Sequence, residues 1–253
     1  MYLSKNNVLD FVETEFKKNN LVVDWLNALK FSTFIGEKDL FNQAITRLFC
    51  KDKKNLLVYG ESGSGKTSFV KELAHRCLIN ESTFNLIFLS LNVGSIVAQT
   101  SYRGELEQKL TQLIFTIKPY KNIILFLDEA QTLAFTQSKE GIGLMDLLKP
   151  YLTDSNIKVI LATTEDEINF LSSDQAFMRR FGILHLPQLS YNLATKALSS
   201  HIQRLQHEHN IELTVTEKNA VVSLLDSYPL HECIDKVDYY LAQKYCNHHQ
   251  IIY

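Results

Sequence analysis

Gly60-Glu61-Ser62-Gly63-Ser64-Gly65-Lys66-Thr67 sets two glycines, a lysine and a hydroxyl at the spacing G-x-x-x-x-G-K-[ST]. Before it lies the apolar run Asn55-Leu56-Leu57-Val58-Tyr59, and after it an amphipathic stretch from Ser68 to Leu78, so the local order reads strand, loop, helix. In that setting the spacing makes a phosphate cradle. The glycines let backbone N–H groups turn toward the β- and γ-phosphates, Lys66 adds a point charge, and the Thr67 hydroxyl coordinates Mg²⁺. The helix that follows directs its positive end at the same anion. Gly60, Glu61, Ser62, Gly63, Ser64, Gly65, Lys66, Thr67 and Ser68 are therefore the candidate contacts to a nucleoside triphosphate.

A second apolar run, Asn122 to Leu127, ends in Asp128-Glu129. In a parallel sheet such a strand tip lies beside the phosphate loop, where Asp128 would hold Mg²⁺ and Glu129 would orient or deprotonate the attacking water. Ala162-Thr163-Thr164 ends a third run, and Thr164 either contacts the γ-phosphate or caps the acidic segment Glu165-Asp166-Glu167. Arg179-Arg180 is a guanidinium pair at a helix end. It serves either as arginine fingers on a neighbouring copy's nucleotide or in surface ion pairs.

These residues need a scaffold, and the chain predicts one. Apolar strands at Asn55–Tyr59, Asn85–Ser90, Asn122–Leu127, Lys158–Thr164 and Phe181–Leu186 alternate with helical stretches. That alternation implies a parallel five-stranded α/β sheet with helices on both faces. Past Pro187 only helical patterning remains, with Thr214 placed to cap a helix whose first turn carries Glu217. The expected organisation is a helical leader at 1–32, including Leu21-Val22-Val23-x-Trp25-Leu26, a nucleotide-binding core at 33–188 and a small helical lid at 189–253.

With 253 residues, 45% of them apolar, and a formal charge of −2, the chain lacks the basic excess of a dedicated nucleic-acid binder. The first residues have no apolar targeting core, and no apolar run reaches the roughly 18 residues of a membrane span, so the expectation is a cytoplasmic protein without membrane insertion. Cys50, Cys77, Cys233 and Cys246 have no metal-ligand or C-x-x-C spacing and read as free thiols.

Taken in order, these stretches resemble the first AAA+ module of the Clp/Hsp100 unfoldases, the ClpA, ClpB and ClpC type. Phe34-Ile35-Gly36-Glu37 is similar to their "IGR" motif and Gly60 to Thr67 to "GEPGVGKT". Gly94 to Ala98 with Ser101-Tyr102-Arg103-Gly104-Glu105 resembles "GALVAG…KYRGEFE". Phe126 to Leu133 with Leu148-Lys149-Pro150 resembles "FIDELHT…LKP", Ala162 to Glu167 with Met178 to Phe181 resembles "ATTLDEY…ERRF", and Cys233 to Asp238 resembles "AIDLID". The resemblance implies a P-loop AAA+ fold, ATP with Mg²⁺ as cofactors, and adenine contacts at Ile35 and Gly36. It also implies a substrate-gripping pore loop at Tyr102, Arg103 and Gly104, and a nucleotide-dependent hexamer acting on a protein partner. Ser62, Ser64, Ser101 and Glu232 depart from the family's usual residues, and the family's recruitment domain, coiled coil and second ring have no counterpart, which points to a single-ring relative.

The leading expectation is a ring ATPase that remodels, unfolds or disassembles a protein. A nucleotide-gated scaffold inside a larger machine, such as a secretion apparatus, is the alternative. A DNA-acting loader or transposition-type ATPase is third, disfavoured by the near-neutral charge.

Overall fold

The computed structural model describes residues 1–16, 23–26, 34–36, 38–50, 53–79, 85–92, 94, 103–135, 144–154 and 156–248. Two compact units divide the chain. One comprises Met1–Ser32, Lys38–Ser62 and Lys66–Leu186, and the other Thr33–Glu37, Gly63–Gly65 and Pro187–Tyr253.

In the first unit α1 (Val8–Glu15) and β1 (Val23–Trp25) lead into α2 (Lys38–Phe49), β2 (Asn55–Gly60), α3 (Lys66–Ile79) and β3 (Ile87–Leu91). There follow α4 (Arg103–Ile117), β4 (Ile123–Leu127), α5 (Thr132–Phe135), α6 (Leu144–Leu152), β5 (Lys158–Thr164), α7 (Ile168–Ser172), α8 (Gln175–Met178) and β6 (Phe181–His185). The strands form one sheet in the order β1-β3-β4-β5-β2-β6. Strands β2 to β6 are mutually parallel, and all five residues of β4 are buried. A sheet covered on both faces requires such unbroken apolar strands.

The leader departs from its helical expectation. Val23–Trp25 is a strand, paired antiparallel with β3 so that Val23 faces Leu91 and Trp25 faces Leu89. Three residues carry too little local signal to declare a strand; here the exposed edge of β3 recruits them. The leader is fastened to the same unit through Asn122, whose side chain accepts from the Leu3 N–H and donates to the Leu3 carbonyl, both at 2.9 Å. Phe11 of α1 meets Phe16 and Tyr120 edge-on, at 5.4 and 5.2 Å between ring centres.

Among its described residues the second unit contains three α-helices, α9 (Tyr191–His209), α10 (Val215–Ser223) and α11 (Leu230–His248). They close over Leu198, Ile202, Leu213, Val221, Val237 and Leu241. Helix α9 ends at Asn210 in the left-handed conformation, φ 52°, which turns the chain back. A capping box starts α10: Thr214 accepts from the Glu217 N–H while the Glu217 carboxylate accepts from the Thr214 N–H.

Candidate nucleotide site

Three adjacent strand tips bring together the candidate residues of the first unit. Strand β2 ends at Gly60 and enters the phosphate loop, its neighbour β5 ends at Thr164 opposite Gly60, and β4 on the far side of β5 ends just before Asp128. Ligands of open α/β sheets bind at such carboxyl ends. The register therefore brings loop, hydroxyl and carboxylates to one edge.

Thr67, in the first turn of α3, donates its hydroxyl to Asp128 Oδ2 at 2.5 Å, and Asp128 Oδ1 accepts from the Glu129 N–H at 3.0 Å. A hydroxyl and a carboxylate in contact are the oxygen donors that suit Mg²⁺, which takes one or two protein oxygens besides phosphate and water. Glu129 is exposed and has φ 51°, a left-handed conformation that non-glycine residues adopt at a cost. Its flanks hold it there. The Ala130 N–H donates to the Ala162 carbonyl at 2.8 Å, and the Thr132 N–H and hydroxyl both donate to the Glu129 carbonyl. The strained turn leaves Glu129 exposed immediately after Asp128 at the end of β4.

Lys66 donates to the carbonyls of Gly60 and Glu61 at 3.0 and 2.7 Å. Burial holds its ammonium below the ordinary lysine value, against the opposing pull of Asp128, Glu167 and Glu165. A phosphate would stabilise that charge directly. Gly63 and Gly65 have φ 74° and 87°, and the Ser64 hydroxyl between them is buried without a hydrogen-bond partner among the described residues. A left-handed glycine pair, a half-buried ammonium and an unsatisfied hydroxyl fit a phosphate chain. ATP would be held by this loop and Mg²⁺ by Thr67 and Asp128; the metal would supply charge neutralisation to the phosphates.

Thr164 ends β5 opposite Gly60 and closes a turn over the acidic segment. Its hydroxyl donates to Glu167 at 2.6 Å and accepts from the Glu167 N–H at 3.3 Å. Arg179 and Arg180 sit in the turn between α8 and β6. Arg179 is exposed, whereas Arg180 is half-buried with Nη1 donating to the Ala176 carbonyl. Neither is in an ion pair among the described residues.

Two features were not legible in the sequence. Asp24, Trp25 and Leu26 of the leader line a pocket of about 540 Å³ together with Thr67, Asp128 and Glu129, so the edge strand walls the side that holds these candidate residues. Within the second unit, a side chain at Gly63 would come within 2.1 Å of His231 Nδ1 in the first turn of α11. Ile35 and Gly36 also belong to that unit; the Phe34 ring fills the space a side chain at position 36 would need, at 2.2 Å. Of the expected pore loop, Tyr102 lies outside the described residues. Arg103 opens α4, and Gly104 follows it with open space around its Cα.

Residues 56–187 match the model of the ATPase family associated with various cellular activities, AAA. Similar proteins include chaperone protein ClpB 1 of Nostoc sp., 33% identical over 227 residues, covering 85% of this chain and 26% of that protein. They also include the negative regulator of genetic competence ClpC/MecB of Bacillus subtilis, 34% identical over 199 residues, 77% of this chain and 25% of that one. The chain thus spans about a quarter of the length of the curated relatives it matches. Among solved structures, the Hsp104:casein complex of S. cerevisiae in its extended conformation superposes with a TM-score of 0.77 at 22% identity, over 94% of this chain and 42% of that chain. A closed state of Hsp104 with ATPγS and FITC-casein gives 0.76 at 23%, over 93% and 41%. These likenesses show the same fold. With its phosphate loop, its paired strand-end carboxylates and a family match across most of the sheet, the chain belongs to the AAA ATPase family and is related to its Clp/Hsp100 members.

Proposed function

We propose that the chain hydrolyses ATP at the interface between two copies of itself in a nucleotide-dependent ring, and uses that cycle to remodel, unfold or disassemble a protein partner. Lys66, Thr67 and Asp128 of one copy hold ATP and Mg²⁺, with Glu129 activating water, and the adjoining copy supplies an arginine. The observation that carries this reading is Arg179: exposed, outside any ion pair among the described residues, and fixed on a short turn beside the sheet. Arg179 is the finger and Arg180 its support, since the Arg180 guanidinium is already directed to the Ala176 carbonyl. A guanidinium delivered by a neighbour stabilises the phosphoryl transition state and couples hydrolysis to the assembly.

The protein partner is inferred from the relatives, both Hsp104 structures having been determined with casein. Ile35 and Gly36 contact the adenine, and Tyr102, Arg103 and Gly104 form the gripping loop. The reading is tested by sizing Glu129→Gln with and without ATP and identifying what the trapped species retains. An ATP-dependent ring holding a polypeptide supports it, and a monomer indifferent to ATP contradicts it. Tyr102→Ala then separates a motor, which loses remodelling but keeps ATPase activity, from a nucleotide-gated scaffold, which loses neither.

A further inference from the structure

Asn55 is a poor strand former placed at the head of β2, yet it is only 1% exposed. Burying a primary amide costs free energy unless its donors and acceptor are matched. Here they are matched entirely by distant segments. Nδ2 donates to the Leu152 carbonyl at the end of α6, at 3.0 Å, and to the Arg180 carbonyl, at 3.1 Å. Oδ1 accepts from the Val159 N–H at the head of β5, at 3.0 Å.

Helix α8, which carries the arginine pair at its end, is a single turn and cannot hold its own geometry. Its front is fixed by Asp174, which accepts from the Phe177 N–H at 2.9 Å and pairs with Lys149 of α6. Its back, at Arg180, is fixed by Asn55 and by the ladder that sets Asn55 opposite Phe181. The strand whose far end opens into the phosphate loop, five residues and roughly 17 Å away, therefore begins with the residue that clamps the arginine turn.

We propose that Asn55 is a positioning residue for the arginine pair: it anchors the Arg179–Arg180 turn to the base of the phosphate-loop strand and so sets where that guanidinium meets the neighbouring copy's nucleotide. The proposal rests on the interface reading above. Asn55 touches neither nucleotide nor metal and acts through the Arg180 carbonyl.

The test is complementation in mixed assemblies. Asn55→Ala removes the clamp and is expected to lower turnover on the order of 10²-fold, the cost of a misplacement of about 1 Å, while ATP binding is unchanged. Mixed with Lys66→Ala, whose arginines are intact, Asn55→Ala copies should regain turnover. Mixed with Arg179→Ala/Arg180→Ala they should not, because neither partner then offers a placed arginine. The reverse pattern, rescue by the arginine variant and none by Lys66→Ala, would mean that Asn55 serves its own phosphate loop, and would overturn the proposal. Rescue by both mixtures, or by neither, would overturn it as well. The control mixture of Lys66→Ala with Arg179→Ala/Arg180→Ala distinguishes this failure from failure of the interface reading itself. Should Asn55→Ala unfold at the assay temperature, Asn55→Ser, whose shorter hydroxyl cannot span both carbonyls, goes through the same mixtures.

Discussion

The Thr67 hydroxyl and the Asp128 carboxylate are in contact at 2.5 Å, across 61 residues of sequence. One comes from the first turn of a helix and the other from the tip of a strand two places away in the sheet. In the proposed reading these two residues would hold Mg²⁺, because a hydroxyl and a carboxylate oxygen are donors that suit the ion. Thr67→Ala and Asp128→Asn should each lower Mg²⁺-dependent turnover on the order of 10²-fold or more. Thr67→Ser should retain most of it. Steady-state phosphate release across a Mg²⁺ titration checks this.

Glu129, the proposed general base, has a strained backbone. Glu129→Gln should lose 10²- to 10⁴-fold in turnover, roughly the worth of general-base catalysis, with ATP binding retained. Glu129→Gly should lose hydrolysis too, yet be more stable by about 1 kcal/mol, because glycine accepts a left-handed φ without strain. Equilibrium denaturant unfolding of the two variants separates the two effects.

Gly63 is constrained twice, by φ 74° and by the His231 ring. Gly63→Ala should abolish ATP binding and cost about 1–3 kcal/mol, the scale of a forced backbone conformation. Adding His231→Ala should recover the steric part alone. A double-mutant cycle on thermal stability would show coupling between the two positions, and simple additivity would place His231 away from the loop.

Glu217 predicts a pH dependence for the second unit. Lys244, then Tyr240, then the Thr214 N–H and hydroxyl hold its carboxyl down from 4.5 to about 2. A carboxylate whose folded pKa is depressed adds stability above its unfolded value and loses it as pH falls through the folded one. The helical unit should therefore weaken between pH 4.5 and about 2. Glu217→Gln should flatten that part of the acid unfolding curve followed by circular dichroism.

The phosphate loop, the Asp128-Glu129 tip and the five parallel strands were legible because each is a local pattern: a fixed spacing, or an apolar run bounded by turn residues. The strand at Val23–Trp25 was not, since it exists only by pairing with the edge of β3. Asn55 gave one faint signal, a polar residue at the head of an apolar strand, but its three hydrogen bonds lie 97 to 125 residues away. Thr164 shows the converse limit. Its two roles were both visible in the chain, and a bound nucleotide is what separates them, since the hydroxyl's bond to Glu167 closes a turn in either role. The approach of His231 to Gly63 had no signature at all, because neither residue marks the other in sequence.

Mixing two inactive variants tests whether the active site is divided between two copies. Lys66→Ala copies lack the nucleotide grip but carry intact arginines, and Arg179→Ala/Arg180→Ala copies are the reverse. In an equimolar assembly about one interface in four pairs a sound loop with a sound arginine, so phosphate release should return to about a quarter of the wild-type rate. No recovery, under conditions where the mixed species assembles and the wild type turns over, would contradict that division.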